Sequence, residues 1–153
     1  MRTYYLYLML VVLVSCGTKM TKDPESITKE IKLYSETIDS DKTLEKETIE
    51  GALTDTEGFK DIGTFKYTVF FDKDTNNLVK IENVETTDKT NTETYYFKNN
   101  KLHYFEVSSQ NSSSKKLYLN NGKVVSSQNI SSEEQKLFLA KARRFQKEFN
   151  QSH

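Results

Sequence analysis

The stretch that decides the fold is TYYFKNNKLHYF, residues 94–105, in which two aromatic runs flank an asparagine pair. Aromatic residues favour β-strands, and asparagine adopts the positive φ angles of a tight turn more readily than most residues. The stretch therefore predicts a β-hairpin with a two-residue turn at Asn99-Asn100. In that register His103 lies opposite Tyr96, on the face that also carries Phe105.

The same pattern recurs on both sides of this hairpin. Residues 119–124 repeat residues 97–102 at an offset of 22 residues, with Asn121-Gly122 as the turn. Upstream, residues 72–77 form a polar turn between two β-branched and aromatic runs, residues 65–71 and 78–84. Asn-Gly between such runs is the strongest short hairpin signal. Three hairpins in succession predict an antiparallel meander.

Two segments have the 3.6-residue periodicity of amphipathic helices. The amino-terminal stripe follows Asp23-Pro24 and contains Ile27, Ile31, Tyr34 and Ile38. The carboxy-terminal stripe contains Phe138, Ala142, Phe145 and Phe149, and we expect Leu137 and Ala140 to widen it. Ser131 and Glu134 have the spacing of a capping box at the start of that helix.

These elements predict an α+β fold. It consists of an antiparallel β-meander of about six to seven strands with an N-terminal helix and a C-terminal amphipathic helix packed on one face. Residues 44–50 are predicted as a further strand, and residues 51–63, with three glycines at 51, 58 and 63 and few aliphatic residues, as a loop.

Composition excludes several classes of function. The chain has 153 residues with 22 basic and 22 acidic side chains, so it lacks the net positive charge that binds nucleic acid. One cysteine and two histidines cannot build a disulfide scaffold or a zinc cage of several nitrogen and sulfur ligands. We predict no cofactor and no metal.

The amino terminus has an apolar run, residues 4–14, that is shorter than the roughly 20 residues of a membrane-spanning helix. Leu13-Val14-Ser15-Cys16 follows at its end and resembles the lipobox of bacterial lipoproteins. The resemblance implies cleavage before Cys16 and attachment of lipid to its thiol. Such a thioether cannot act as a nucleophile, so cysteine catalysis is not expected.

The lipobox defines the predicted domain organisation. Residues 1–15 are the lipoprotein signal peptide, residues 16–25 are the lipidated cysteine and a polar linker, and residues 26–153 are a single α+β domain. The resemblance implies a bacterial cell-envelope protein held to a membrane by lipid. Under the lipoprotein sorting rule that reads the residue after the cysteine, Gly17 favours the outer membrane over the inner.

The aromatic hairpins supply the candidate binding surface. We expect Tyr95, Phe97 and Tyr104 on one face of the sheet and Tyr96 and Phe105 on the other. One helical layer cannot cover both faces. Either one aromatic row is exposed and binds a partner, or the first helix or the loop at residues 51–63 covers it.

Other candidate sites have ordinary structural alternatives. Residues 72–77 have the alternating oxygen ligands of a calcium loop, but they lack its glycine and its closing glutamate, which favours a solvated turn. His103 is a candidate base and also a structural histidine. Glu93 and Glu106 are predicted to lie opposite each other as a like-charge pair. A further set consists of basic residues on the last helix that could contact anionic lipid: Lys136, Lys141, Arg143, Arg144 and Lys147.

The favoured function is non-enzymatic binding or assembly in the cell envelope, with a protein partner. The alternative is an inhibitor or immunity-type protein that occludes an enzyme with a protruding loop, at residues 72–77 or 108–114. A hydrolase with an unrecognised site is the third hypothesis, and it requires His103 near a carboxylate in a pocket.

Replacing Cys16 with serine tests the lipoprotein prediction. Serine cannot form the thioether, so the Cys16→Ser chain is expected to remain an uncleaved, unlipidated precursor. Intact mass and membrane partition measure this outcome. A variant with the same processed mass and the same partition as the native chain contradicts the prediction.

Overall fold

The computed structural model describes residues 23–110 and 112–153. The predicted signal peptide, Cys16 and most of the linker lie outside the described residues. The elements are α1 (Pro24–Ser40), β1 (Glu45–Thr54), β2 (Asp61–Asp72), β3 (Asn77–Thr86), β4 (Thr90–Lys98), β5 (Lys101–Ser109), β6 (Lys115–Asn120), β7 (Lys123–Gln128) and α2 (Ser132–Ser152).

The seven strands form one antiparallel sheet in which spatial order equals chain order, β1 to β7. The predicted α+β meander is therefore confirmed. Helix α2 packs on one face of the sheet, where its apolar side contacts a core built from β2 to β6. Helix α1 covers part of the opposite face, which was one of the alternatives that the sequence left open.

Helix α1 begins where the sequence marks a cap. The Asp23 carboxylate accepts a hydrogen bond from the Ser26 N–H at 2.9 Å, and Pro24 occupies the first turn, where its missing N–H costs nothing. The predicted linker, residues 16–25, includes Pro24 and Glu25, but these two residues belong to this helix. The predicted stripe is confirmed: Ile31 is buried, and Ile27, Tyr34 and Ile38 pack beside it.

The strand prediction for residues 44–50 is confirmed, but the loop prediction for residues 51–63 is wrong at both ends. β1 continues to Thr54 and β2 starts at Asp61, so the turn is short. Two of the three glycines in this segment, Gly51 and Gly63, lie at close approaches within the sheet, whereas Gly58 has a positive φ of 77° in the turn. A Cβ on Gly51 would lie 2.6 Å from Cε1 of Phe65, and a Cβ on Gly63 would overlap the backbone oxygen of Thr86.

Each of the three predicted hairpins contains a β-bulge directly after its turn. The register shifts at Phe70/Phe71, Tyr96/Phe97 and Tyr118/Leu119, so one extra residue stands in the returning strand. In the β4–β5 hairpin this residue is His103, because Phe97 pairs with Leu102 and Tyr96 pairs with Tyr104. The predicted pairing of His103 with Tyr96 is therefore wrong.

Helix α2 begins with the predicted capping box. The Ser131 hydroxyl accepts from the Glu134 N–H, and the Glu134 carboxylate accepts from the Ser131 N–H. A hydrogen bond from Lys115, together with this cap, lowers the pKa of Glu134 to about 2.

The buried stripe of α2 is as predicted: Phe138, Ala142, Phe145 and Phe149. Leu137 and Ala140 are exposed and do not widen it; Leu139 packs against the core instead.

Replacing Phe145 with alanine tests how much α2 contributes to stability. The Phe145 ring lies 5.1 Å from the ring of Tyr67 and 5.4 Å from that of Tyr95, so its loss leaves a cavity under the helix. We expect Phe145→Ala to lower the free energy of unfolding by about 3 to 5 kcal/mol in urea denaturation.

The matched control is Leu137→Ala on the same helix. Leu137 is 62% exposed, so this change is expected to alter stability by no more than about 0.5 kcal/mol. Equal effects of the two substitutions would show that α2 is peripheral to the fold.

Candidate functional site

The five aromatic residues predicted as a binding surface are buried. Tyr95, Phe97 and Phe105 lie in the core under α2, and Tyr96 and Tyr104 lie under α1. The predicted division between faces is wrong for Tyr104 and Phe105, because the bulge at His103 exchanges the faces of the residues that follow it. Both faces of this hairpin are therefore core, and neither presents the aromatic row to a partner.

A row of tyrosines crosses three strands under α1. The ring centroids of Tyr96 and Tyr104 are 5.4 Å apart, and those of Tyr104 and Tyr118 are 4.9 Å apart. The Tyr96 hydroxyl donates to Asp39 at 2.8 Å, and the Tyr104 hydroxyl donates to Glu106 at 2.8 Å. Burial, followed by these hydrogen bonds, raises the pKa of both tyrosines. The Tyr96 hydroxyl thus links β4 to Asp39 of α1, and the Tyr104 hydroxyl binds Glu106 of its own strand.

His103 lies at the turn end of β5, beneath α1. Its ring packs edge-on against Tyr34 at 5.4 Å between centroids, and the hydroxyl of Tyr34 donates to the backbone oxygen of Phe97 at 2.6 Å. Burial lowers the pKa of His103, and the nearby Lys98 ammonium lowers it further. This is the environment of a neutral, packed histidine.

Glu93 and Glu106 do not form the predicted pair. The observed register places Glu93 opposite Val107 and Glu106 opposite Thr94, so the two carboxylates lie on opposite faces. Glu93 accepts hydrogen bonds from Lys141 at 2.5 Å and from the Tyr95 hydroxyl at 2.9 Å.

The basic residues of α2 divide into two groups. Lys141 and Arg144 are ion-paired, with Glu93 at 2.5 Å and with Glu148 at 3.6 Å respectively. The other group is exposed: Lys136, Arg143 and Lys147.

Residues 72–77 form the hairpin turn between β2 and β3. The Asp72 carboxylate accepts from the Thr75 N–H at 2.8 Å and from its hydroxyl at 2.6 Å, and this lowers the pKa of Asp72. The carboxylate therefore serves the turn itself. In the part of the chain that the structure describes, no group of three or more histidine, cysteine, aspartate or glutamate side chains could hold a metal ion.

A groove of about 380 Å³ lies between the β1–β2 hairpin and α2. Its floor is apolar and is formed by Ile49, Leu53, Phe65, Tyr67 and Phe145, and its polar rim includes Glu85, Lys141, Arg144 and Glu148. Burial raises the pKa of Tyr67 to about 12, so its hydroxyl remains protonated at neutral pH. This arrangement suits an apolar side chain flanked by polar groups.

The β1–β2 hairpin also exposes large apolar side chains. Ile49 is 61% exposed, Phe59 at the hairpin tip is 89% exposed, and Ile62 is 49% exposed. β1 is the first strand of the sheet, so among the described residues no strand pairs with its outer edge. We call the groove, these three residues and the free edge of β1 the distal site.

Sequence reasoning did not find the distal site. Ile49, Phe59 and Ile62 are isolated among polar or glycine residues, and the sequence of this segment predicts a polar strand followed by a loop. The available signal was these three apolar residues, each with polar or glycine neighbours, at positions where burial gave no reason for them.

In the described residues, neither helix is long and apolar enough to cross a membrane. No protein-family model, no curated protein and no solved structure matches the chain.

The environment of His103 predicts its titration. The NMR midpoint of His103 is expected below its ordinary value of 6.5, and Lys98→Gln is expected to raise that midpoint because a neighbouring positive charge is removed. Because the folded pKa is below the unfolded one, stability is lost as pH falls through 6.5 and the unfolded state gains the proton. Lys89→Gln, in the β3–β4 turn, is the control. An unchanged midpoint in Lys98→Gln would contradict the assignment.

Proposed function

We propose that this protein is a bacterial cell-envelope lipoprotein with a non-enzymatic binding or assembly role. In this proposal lipid on Cys16 holds it to a membrane, and Gly17 after the cysteine favours the outer one. The distal site then binds an extended segment of a partner protein. The observation that supports the binding role is the exposure of Ile49, which lines the apolar groove, together with that of Phe59 and Ile62 on the same hairpin.

The free edge of β1 supports an extended partner segment. An unpaired edge strand offers backbone N–H and C=O groups to an added strand, and alternate side chains of that strand reach the same face. A segment paired with β1 would place apolar side chains beside Ile49 and Leu53, over the groove.

Charge indicates the chemistry of that segment. Residues 45–86, which form β1 to β3, contain ten acidic and five basic side chains. Three of those lysines already pair within the domain: Lys66 with Glu50, Lys73 with Glu45, and Lys80 with Asp39. The remaining acidic excess favours a partner segment that alternates basic and apolar residues.

Site-specific photo-crosslinking in the native envelope tests this proposal. A photoreactive phenylalanine analogue at Phe59 or at Ile49 is expected to capture the same partner protein, in a peptide of basic and apolar residues. The control position is Asp74, which is exposed in the turn at the opposite end of β2. Capture of lipid alone, or of the same proteins from Asp74, would overturn the binding role.

A charge substitution provides the matched test. Ile49→Asp is expected to abolish the crosslink from Phe59, because it puts a carboxylate at the groove and adds to the acidic excess. Leu137→Asp is its control, since Leu137 is 62% exposed against 61% for Ile49 but lies on the outer side of α2. Both sites are exposed, so neither change is expected to unfold the domain.

A further inference from the structure

The charges of this neutral chain are separated across the sheet. Residues 45–86, in β1 to β3, have ten acidic and five basic side chains, whereas residues 101–128, in β5 to β7, have four lysines and one glutamate. Because spatial strand order equals chain order, this sequence asymmetry becomes a spatial one. The β1 side of the sheet is acidic and the β7 side is basic.

Four exposed cations gather at one corner of the basic side. Lys98 and Lys101 flank the β4–β5 turn, Lys123 follows the β6–β7 turn, and Arg143 lies on α2. We call them the corner cluster. Arg143 and Lys101 line one shallow pocket of about 140 Å³, and Lys98 and Lys101 line another of about 260 Å³ on the other side of the turn.

The corner cluster has no internal counter-charge. Among residues 23–110 and 112–153, no carboxylate lies within 4.0 Å of the charged nitrogens of these four side chains. The Lys98 ammonium lies 5.0 Å from the centre of the Tyr34 ring. The ring has no net charge, so this contact does not neutralise the lysine. Lys115 and Lys116 of β6 are paired, with Glu134 and Glu106, and Lys141 of α2 is paired with Glu93. Lys136 and Lys147 of α2 are exposed, outside the corner.

Helix α1 brings the amino-terminal tether to the same side of the sheet. Asp39, near its end, contacts Lys80 on β3 and Tyr96 on β4, and the helix packs against β5, β6 and β7. Pro24 lies about 22 Å along the helix from Asp39, and β7 lies about 14 Å from β4. The start of α1 therefore reaches the β7 side.

The segment between Cys16 and α1 is short, so it keeps the β7 side of the sheet close to the lipid proposed on Cys16. Seven residues lead from Cys16 to Asp23, and seven extended residues span at most about 25 Å. Two of these residues, Lys19 and Lys22, are basic.

We propose that the corner cluster docks on the anionic headgroups of the membrane that holds the lipid anchor. The occupant is a lipid surface because the four unpaired cations are spread over two turns and a helix, on the side where the tether leaves the domain. Ammonium and guanidinium groups donate hydrogen bonds to phosphate oxygens. Docking orients the sheet so that β1 and the distal site point away from the membrane. This inference assumes the lipid anchor of the proposed function.

Hydrogen exchange of the purified full protein in lipid discs tests the docking. In discs rich in phosphatidylglycerol, the amides of residues 98–104 and 119–125 are expected to exchange severalfold more slowly than in discs of phosphatidylcholine. The hairpin tip at residues 55–60 is expected to exchange equally in both. About 1 M NaCl, where the Debye length is about 3 Å, is expected to abolish the difference.

Matched triple variants locate the effect. Lys98→Gln/Lys101→Gln/Lys123→Gln is expected to remove the protection, since each charge near an anionic surface changes affinity about fivefold. Lys42→Gln/Lys60→Gln/Lys89→Gln removes the same total charge from exposed lysines outside the corner. This variant is expected to keep the lipid-dependent protection of the amides. Equal loss in both variants, or equal protection in both lipids, would overturn docking by the corner cluster. Protection by inorganic phosphate without lipid would also overturn it, in favour of a small-anion site.

The mass of the Cys16 peptide separates failure of docking from failure of the anchor. A lipidated Cys16 without lipid-dependent protection would overturn docking and leave the anchor standing. If Cys16 is unmodified, the same chain is incubated with preformed vesicles of the two lipids and the same amides are measured. Protection only on anionic vesicles would then support the corner cluster although the anchor fails, and its absence would overturn both.

Discussion

The structure depends on one constraint: its central strands carry bulky side chains on both faces. Tyr95 and Phe97 point to one side of β4 and Tyr96 to the other, and all three are buried. Burial of aromatic surface is among the largest stabilising contributions in a small domain. A single helical layer would leave one row in water, so the sheet lies between α1 and α2. The β1–β2 end has no such double row, and there the cover on both faces is incomplete.

Elements defined by neighbouring residues could be predicted from the sequence, whereas features that depend on register could not. The asparagine turns, the Asp23 cap and the capping box of Ser131 and Glu134 are local, and each predicted its element correctly. The bulge at His103 adds one residue to a strand and moves every later side chain to the other face. No residue near this position indicates the bulge, so the sequence places Tyr104 and Phe105 on the wrong faces.

The candidate surfaces depend on tertiary placement in the same way. Whether Ile49 and Phe59 are exposed is decided by how far α2 extends across the sheet, which periodicity does not give. The corner cluster joins residues from two turns and a helix that are as much as 45 positions apart, Lys98 to Arg143. Its unpaired state also depends on where each carboxylate lies. The overall composition gives a neutral chain, and it does not show that acidic residues lie on the β1 side of the sheet and basic residues on the β7 side.

Strand order that equals chain order also determines how the chain folds. Each strand pairs only with its chain neighbours, so the pairing steps close short loops, which costs little entropy and favours rapid folding. The sheet can grow hairpin by hairpin as the polypeptide is synthesised. Helix α1 is an exception, because Ile31 packs on Tyr96, Tyr104 and Tyr118, and the last of these lies in β6. The first helix to be made is therefore among the last elements to dock.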